Sequence, residues 1–291
     1  MSIPFLLLCL TSRVAYSFND VWTGRLARRH GRVEVAALRG VSLGLTMAPL
    51  LWFARRGAWS ALLGHWVELA VLVSLTACSN VLQLHAARSL PFGLRAAVSV
   101  STVALGGILL GFAVLGEHLG AGELVWGALV VSSAALAALG DHSSEELRAD
   151  VPKGTLLALG SSALMAVAAL FLLRLSRATD PLLAAWCWEF GSGLVLVPLL
   201  FWRGRGRLAA GTGTRFLRTA TASLPTVVGS GASALALTRG PLGLWGALAG
   251  TQVLFTALLG ASLHREKIGP ARWLCFACGA GGVFALALSR G

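Results

Sequence analysis

Ten stretches of about twenty predominantly apolar residues, the length a helix needs to cross about 30 Å of hydrocarbon, recur near 3–22, 35–53, 67–86, 92–114, 121–140, 154–173, 183–202, 220–238, 243–263 and 270–289. Polar and charged residues gather in the short connections between them. Such connections leave no room for a soluble domain, so each stretch must satisfy its backbone polar groups within its own helix. The pattern predicts an all-α membrane protein with ten transmembrane helices. Spans of this length exclude an outer-membrane barrel, whose strands are half as long and alternate in polarity.

The pattern also repeats. Pro49-Leu-Leu-Trp-Phe returns as Pro198-Leu-Leu-Phe-Trp, 149 positions later. Leu90-Pro-Phe-Gly-Leu94 returns as Gly240-Pro-Leu-Gly-Leu244, and Gly116-Glu-His-Leu-Gly120 as Arg265-Glu-Lys-Ile-Gly269. Two five-helix units, residues 1–142 and 150–291, are expected on either side of the polar run Asp141–Gly154. An odd number of spans per unit makes the second unit enter the membrane from the opposite side, the inverted doubling on which many secondary transporters are built.

Composition agrees: 56% of the 291 residues are hydrophobic and 12% charged, which places the chain in a membrane, with a bacterial plasma (inner) membrane expected. A net charge of +12 would suggest nucleic acid in a soluble protein. Here it reads as arginine in connections that meet anionic headgroups, so membrane lipids are partners and nucleic acid is not. Most cations outside Arg13, with Arg39 and Arg95 counted among them, fall in odd-numbered connections, which by the positive-inside rule puts both termini outside the cytoplasm. The cysteines lie within apolar spans, and the Cys275/Cys278 pair has no second pair to complete a metal site. The six histidines are scattered near span ends and no P-loop is present, so no cofactor, metal or ATP hydrolysis is expected.

Ionisable groups inside a bilayer are costly, about 2.5–3.5 kcal/mol at a helix centre on insertion scales, and mark function or a locked ion pair. Arg13 lies near the middle of the first span, with Tyr16, Ser17 and Asp20 following at helical spacing, so one face of that helix should line a cavity. Glu189, two turns into the seventh span beside Trp186 and Trp188, is the acid with which Arg13 would pair. Asp20 and Glu189 are also the candidate proton carriers, because a carboxyl drawn out of water is poised between its charged and neutral forms. Thr76, Asn80 and Gln83 form an uncharged polar stripe on the third span; Thr251 and Gln252 mark the middle of the ninth. Trp186, Trp188 and Trp245 could supply apolar or cation-π walls. Glu117 and Glu266, just before spans five and ten, should meet the orphan amides of a helix start. Gly107, Gly111, Gly246, Gly250, Gly279, Gly281 and Gly282 should allow close helix approach. Pro49, Pro91, Pro198 and Pro241 are placed at or near span ends, and Pro225 within the eighth span.

Ten spans in a five-plus-five repeat, the recurring Pro near the fourth and ninth spans, and Gly-Glu-x-Leu before a Gly/Ala-rich closing helix together resemble the drug/metabolite transporter superfamily, EamA type. The resemblance covers essentially the full chain. It implies a ten-helix bundle with a central cavity between inverted halves, cytoplasmic termini, and movement of small metabolites without ATP. Two features depart from the family pattern: Arg265 stands where the second copy would show Gly before Glu266, and Arg13 occupies a normally uncharged part of span one.

The sequence thus reads as a secondary transporter, preferentially an exporter, of a small polar or anionic metabolite, amino-acid-like or an organic acid, working by alternating access. Arg13, Tyr16, Asn80, Gln83, Trp188 and Gln252 are the candidate binding residues and Asp20 or Glu189 the candidates for proton coupling. A homodimer is compatible with this reading. The alternative is a non-transporting scaffold or sensor, or a lipid-modifying intramembrane enzyme. If the polar faces of spans one, three, seven and nine share a void, transport is favoured; if they pair off and leave none, scaffolding is.

Overall fold

A computed structural model describes residues 2–29, 31–55, 57–90, 92–139, 151–203, 212–264 and 269–288. Pro91, His30, His142, Arg265 and Glu266, with most of the 141–154 joint and all of the basic connection at 204–211, lie outside the described residues. Among those described the chain is helical throughout: α1 (Ile3–Arg29), α2 (Arg32–Met47) followed by a 3-10 turn (Ala48–Phe53), α3 (Ala58–Gly64), α4 (Trp66–Ser89), α5 (Phe92–Leu115), α6 (Ala121–Leu139), α7 (Val151–Ala178), α8 (Pro181–Arg203), α9 (Thr212–Leu237), α10 (Leu242–Leu248), α11 (Gly250–His264) and α12 (Pro270–Leu288). Six segments are long and apolar enough to cross a membrane, and the 121–133, 242–256 and 273–286 segments are shorter apolar helices.

Three local features differ from the sequence reading. The ninth apolar stretch is not one helix: α10 ends at Leu248 and α11 begins at Gly250, with the Ala249 amide turned back to Gly246 O at 3.0 Å. Pro198 lies inside α8 rather than at its end; α8 runs on to Arg203. A short helix, α3, precedes α4, where the sequence suggested only a connection.

The principal helix contacts run between the two halves of the chain. α1 packs on α9 and α11, α2 on α8 and α9, α4 on α7 and α8, α5 on α7 and α10, and α6 on α12 and α11. Apolar side chains alone give a membrane helix no preference for protein over lipid, so close approach depends on small residues. The tightest case is the crossing of α2 and α8, where a Cβ added at Gly193 would stand 2.6 Å from Gly40 C and Val41 N. α5 and α10 meet similarly at Gly107 and Gly246, as their spacing suggested. Gly281, expected to do the same, faces open space.

Apolar packing is uneven along the bundle. Its largest cluster, including Phe5, Leu72, Leu172, Leu183, Leu237 and Leu242, joins the start of α1, α4, α8 and α10 to the finish of α7 and α9. This plug fills one end. Toward the other end, where α1 finishes and α2 begins, the space between the halves is polar.

Glu117 strengthens the plugged end. It was expected to serve the helix that follows it, but its carboxylate accepts the Leu242 and Gly243 amides at 2.8 and 3.2 Å and so caps α10, in the other half of the chain. Glu123 takes up the neighbouring duty before α6, accepting the Gly120 amide at 2.9 Å. Glu117→Ala would leave two α10 amides unsatisfied and is expected to lower stability by about 1–2 kcal/mol, the usual worth of an N-cap. Thermal unfolding of the purified variant measures this; an unchanged midpoint would show the cap contributes nothing.

Candidate functional site

Beyond the plug lies a cavity of about 170 Å³ lined by α1, α2, α4, α5, α7, α8, α10 and α11. A cavity of about 150 Å³ accepts benzene, so this space suits one small solute. Arg13, Tyr16, Asp20, Asn80, Gln83, Trp188, Glu189 and Gln252 all line it. Spans one, three, seven and nine, whose polar faces the sequence singled out, therefore share one void. Trp186 does not line it; its indole donates to Gly44 O at 2.8 Å and its ring stacks on Phe190.

The break between α10 and α11 sets the position of Arg13. Because the Ala249 amide bonds to Gly246 O, the Trp245 carbonyl is left without its usual fourth-residue partner, and Arg13 Nη2 donates to it at 3.3 Å. The guanidinium carbon stands 4.3 Å from the centroid of the Trp245 ring, a cation-π distance. That indole is itself fixed by donating to Ser233 Oγ at 3.1 Å. Arg13 therefore does not pair with Glu189. No carboxylate forms an ion pair with it among the described residues, although it is only 5% exposed.

Glu189 is held by Arg39 instead, at 3.1 Å to Nη1, with Nη2 3.4 Å from the other oxygen. Ser230 Oγ donates to Glu189 Oε1 at 2.6 Å and meets the Tyr16 hydroxyl at 2.7 Å. Tyr16 itself reaches Glu189 at 3.5 Å. One carboxylate thus ties together α1, α2, α8 and α9. Asn19 Oδ1 accepts from Arg39 Nε at 3.4 Å and steadies the guanidinium from α1.

Asp20 forms a second centre nearer the polar end. Gln252 Nε2 donates to its Oδ2 at 2.7 Å, and Arg95 and Arg39 lie within its electrostatic reach. Ser17 Oγ bonds the Gln252 carbonyl at 2.9 Å, so α1 and α11 are joined twice within one turn.

Sequence reasoning missed Arg39, Arg95 and Asn19. The two arginines had been assigned to connections, but both lie in helices and line the cavity. The available signal was their place inside the apolar stretches 35–53 and 92–114, where a cation is as unexpected as Arg13 is in the first. With Arg13 they set three guanidiniums against two carboxylates, Asp20 and Glu189. By formal count the cavity walls thus hold one more cation than anion.

Residues 152–288 match the model of the EamA-like transporter family, part of the drug/metabolite transporter superfamily. No curated protein matches the chain. Among solved structures 28 chains match. One, described only as a crystal structure of a protein, is 15% identical with a TM-score of 0.78 and covers 99% of this chain and 98% of its own. At that identity the likeness is one of fold.

Proposed function

We propose that this integral membrane protein, which carries an EamA-like transporter unit at residues 152–288, is a secondary transporter of a small polar or anionic metabolite, with its two halves rocking about the charged cavity. One observation carries the reading: the Arg13 guanidinium is buried at the cavity wall with a single hydrogen bond and no carboxylate partner among the described residues. A desolvated cation is kept without a counter-ion only at a cost, and an anionic solute would relieve it.

The helix pairing supports two exchanged five-helix units, hence ten spans. α1 on α9 has its counterpart in α7 on α4, and α1 on α11 in α7 on α5; α2 with α8, α5 with α10, and α6 with α12 are each their own counterparts. A discontinuous helix at the binding depth, here α10 and α11, is a recurrent means by which transporters free backbone groups for a site. The cavity extends toward the end that carries the basic connections. By the positive-inside rule this is the cytoplasmic face, from which a solute for export would load. Asp20 and the Tyr16–Ser230–Glu189 chain are the groups that could take up a proton in exchange.

The test is flux into proteoliposomes holding the full chain, across amino acids, organic acids and sugar phosphates, with and without a pH gradient. Arg13→Ala is expected to slow the flux of each active anion about 10- to 100-fold, the worth of a charge-assisted hydrogen bond at 1.5–3 kcal/mol. Flux unchanged in that variant would remove Arg13 from the site. Absence of flux for every solute would remove the transporter reading.

A further inference from the structure

The donors and acceptors of the cavity are unequally committed, and the imbalance selects a charge class. Both carboxylates are already served by the protein. Glu189 accepts from Arg39 and Ser230, with Tyr16 alongside, and Asp20 accepts from Gln252 with arginines in reach. The surplus lies with the donors. Arginine offers five N–H groups in a fixed fork, and Arg13 makes one hydrogen bond, leaving its Nε buried with no acceptor. Trp188, 6% exposed and also lining the cavity, likewise has a buried indole N–H with no acceptor. A buried donor left unmade costs the full desolvation of the group, so a ligand that brings an acceptor gains more than an ordinary exchange with water would give.

Building on the transporter reading, we infer that the cavity is selective for small organic monoanions: a carboxylate received by Arg13 and Trp188, on a compact body without an ammonium group. Counted formally, with neither carboxylate protonated, the walls hold one more cation than anion, which a monoanion neutralises; a dianion would overshoot it. An ammonium would find both carboxylates occupied, leaving amide oxygens such as those of Asn80 and Gln83, which accept hydrogen bonds but offset no charge. Those amides suit a hydroxyl. Val100, Val103, Met165 and Val253 add apolar surface among the hydroxyls of Ser99, Ser161 and Ser162, fitting a short branched chain that carries a hydroxyl.

Four solutes of matched size separate the charge classes: 2-hydroxyisovalerate (monoanion), valine (zwitterion), 2-methylsuccinate (dianion) and isobutylamine (cation). Each is titrated calorimetrically into the full chain in nanodiscs at neutral pH. The hydroxy acid should bind at least about tenfold tighter than valine and 2-methylsuccinate, a margin of about 1.4 kcal/mol, and isobutylamine should not bind. Trp188→Phe removes the N–H together with one ring of the indole, so it should weaken the hydroxy acid about tenfold and lower the thermal midpoint modestly, whereas Trp245→Phe, which leaves the Trp188 N–H in place, should cost midpoint with a smaller loss of affinity; Arg13→Gln should abolish binding. Equal binding of valine, 2-methylsuccinate or the amine, binding of none of the four, or an unchanged affinity in Trp188→Phe would each overturn the inference. Valine flux that stops in Arg13→Ala would keep the transporter reading and discard the monoanion one.

Discussion

Glu189→Ala is expected to be the most damaging single change to a side chain in this protein, lowering stability by about 3–5 kcal/mol, the usual consequence of removing one partner of a buried ion pair. The substitution strips the acceptor from Arg39, Ser230 and Tyr16 together. The remaining Arg39 guanidinium would sit in the bundle beside a void, keeping among the described residues a long hydrogen bond to Asn19 and the more distant Asp20. Low yield and a broad, early unfolding transition are the expected results. The double variant Arg39→Met with Glu189→Met separates charge from shape. A buried pair replaced as a unit by apolar residues is often neutral, so the double variant should recover much of the midpoint while transport stays lost. A single variant as stable as the wild type would show that Glu189 is not the joint described here, and a double variant no better than the single would put the loss down to packing.

Gly193→Ala, the addition of one methyl group, ranks next. Its Cβ would meet the backbone of α2 at Gly40 and Val41, 2.6–2.7 Å away, where no rotamer change can make room. The α2–α8 crossing would have to open, and Arg39 and Glu189 lie on those same two helices, Arg39 next to Gly40 and Glu189 one turn before Gly193. The expected loss is about 3 kcal/mol, the upper end of overpacking penalties, with transport falling in parallel. Gly281→Ala is the control, because nothing stands near that position. Equal thermal midpoints for the two variants would contradict the close crossing.

Much of this was legible beforehand because the membrane enforces it. Apolar stretches long enough to cross must become helices, and polar groups such as Arg13, Tyr16, Asp20, Asn80, Gln83, Glu189 and Gln252 must face inward; all seven meet at the cavity. Partner choice was less legible. Arg13 and Glu189 are an obvious pair by charge, but helix rotation decides which cation reaches the acid, and that depends on packing such as Gly40 against Gly193. Arg39 and Arg95 fall inside the apolar stretches 35–53 and 92–114, but a long cationic side chain within about two turns of a helix start can reach back to the interface as readily as inward, so the sequence alone does not separate a connection cation from a cavity one. The break at Ala249 has no proline to announce it. Only Gly246 and Gly250 hint at it, and the same residues serve equally well as contact points for a continuous helix.

The uneven ownership of the cavity charges has a consequence for how the chain can be assembled. Arg13, Asp20, Arg39 and Arg95 come from the first half and Glu189 alone from the second. A pair of second halves would set two acids face to face with no base between them, and a pair of first halves would crowd cations round a lone type of counter-ion. Separately expressed fragments should therefore mate only with each other. The two parts of the chain are complementary in charge rather than interchangeable, and neither can stand in for the other.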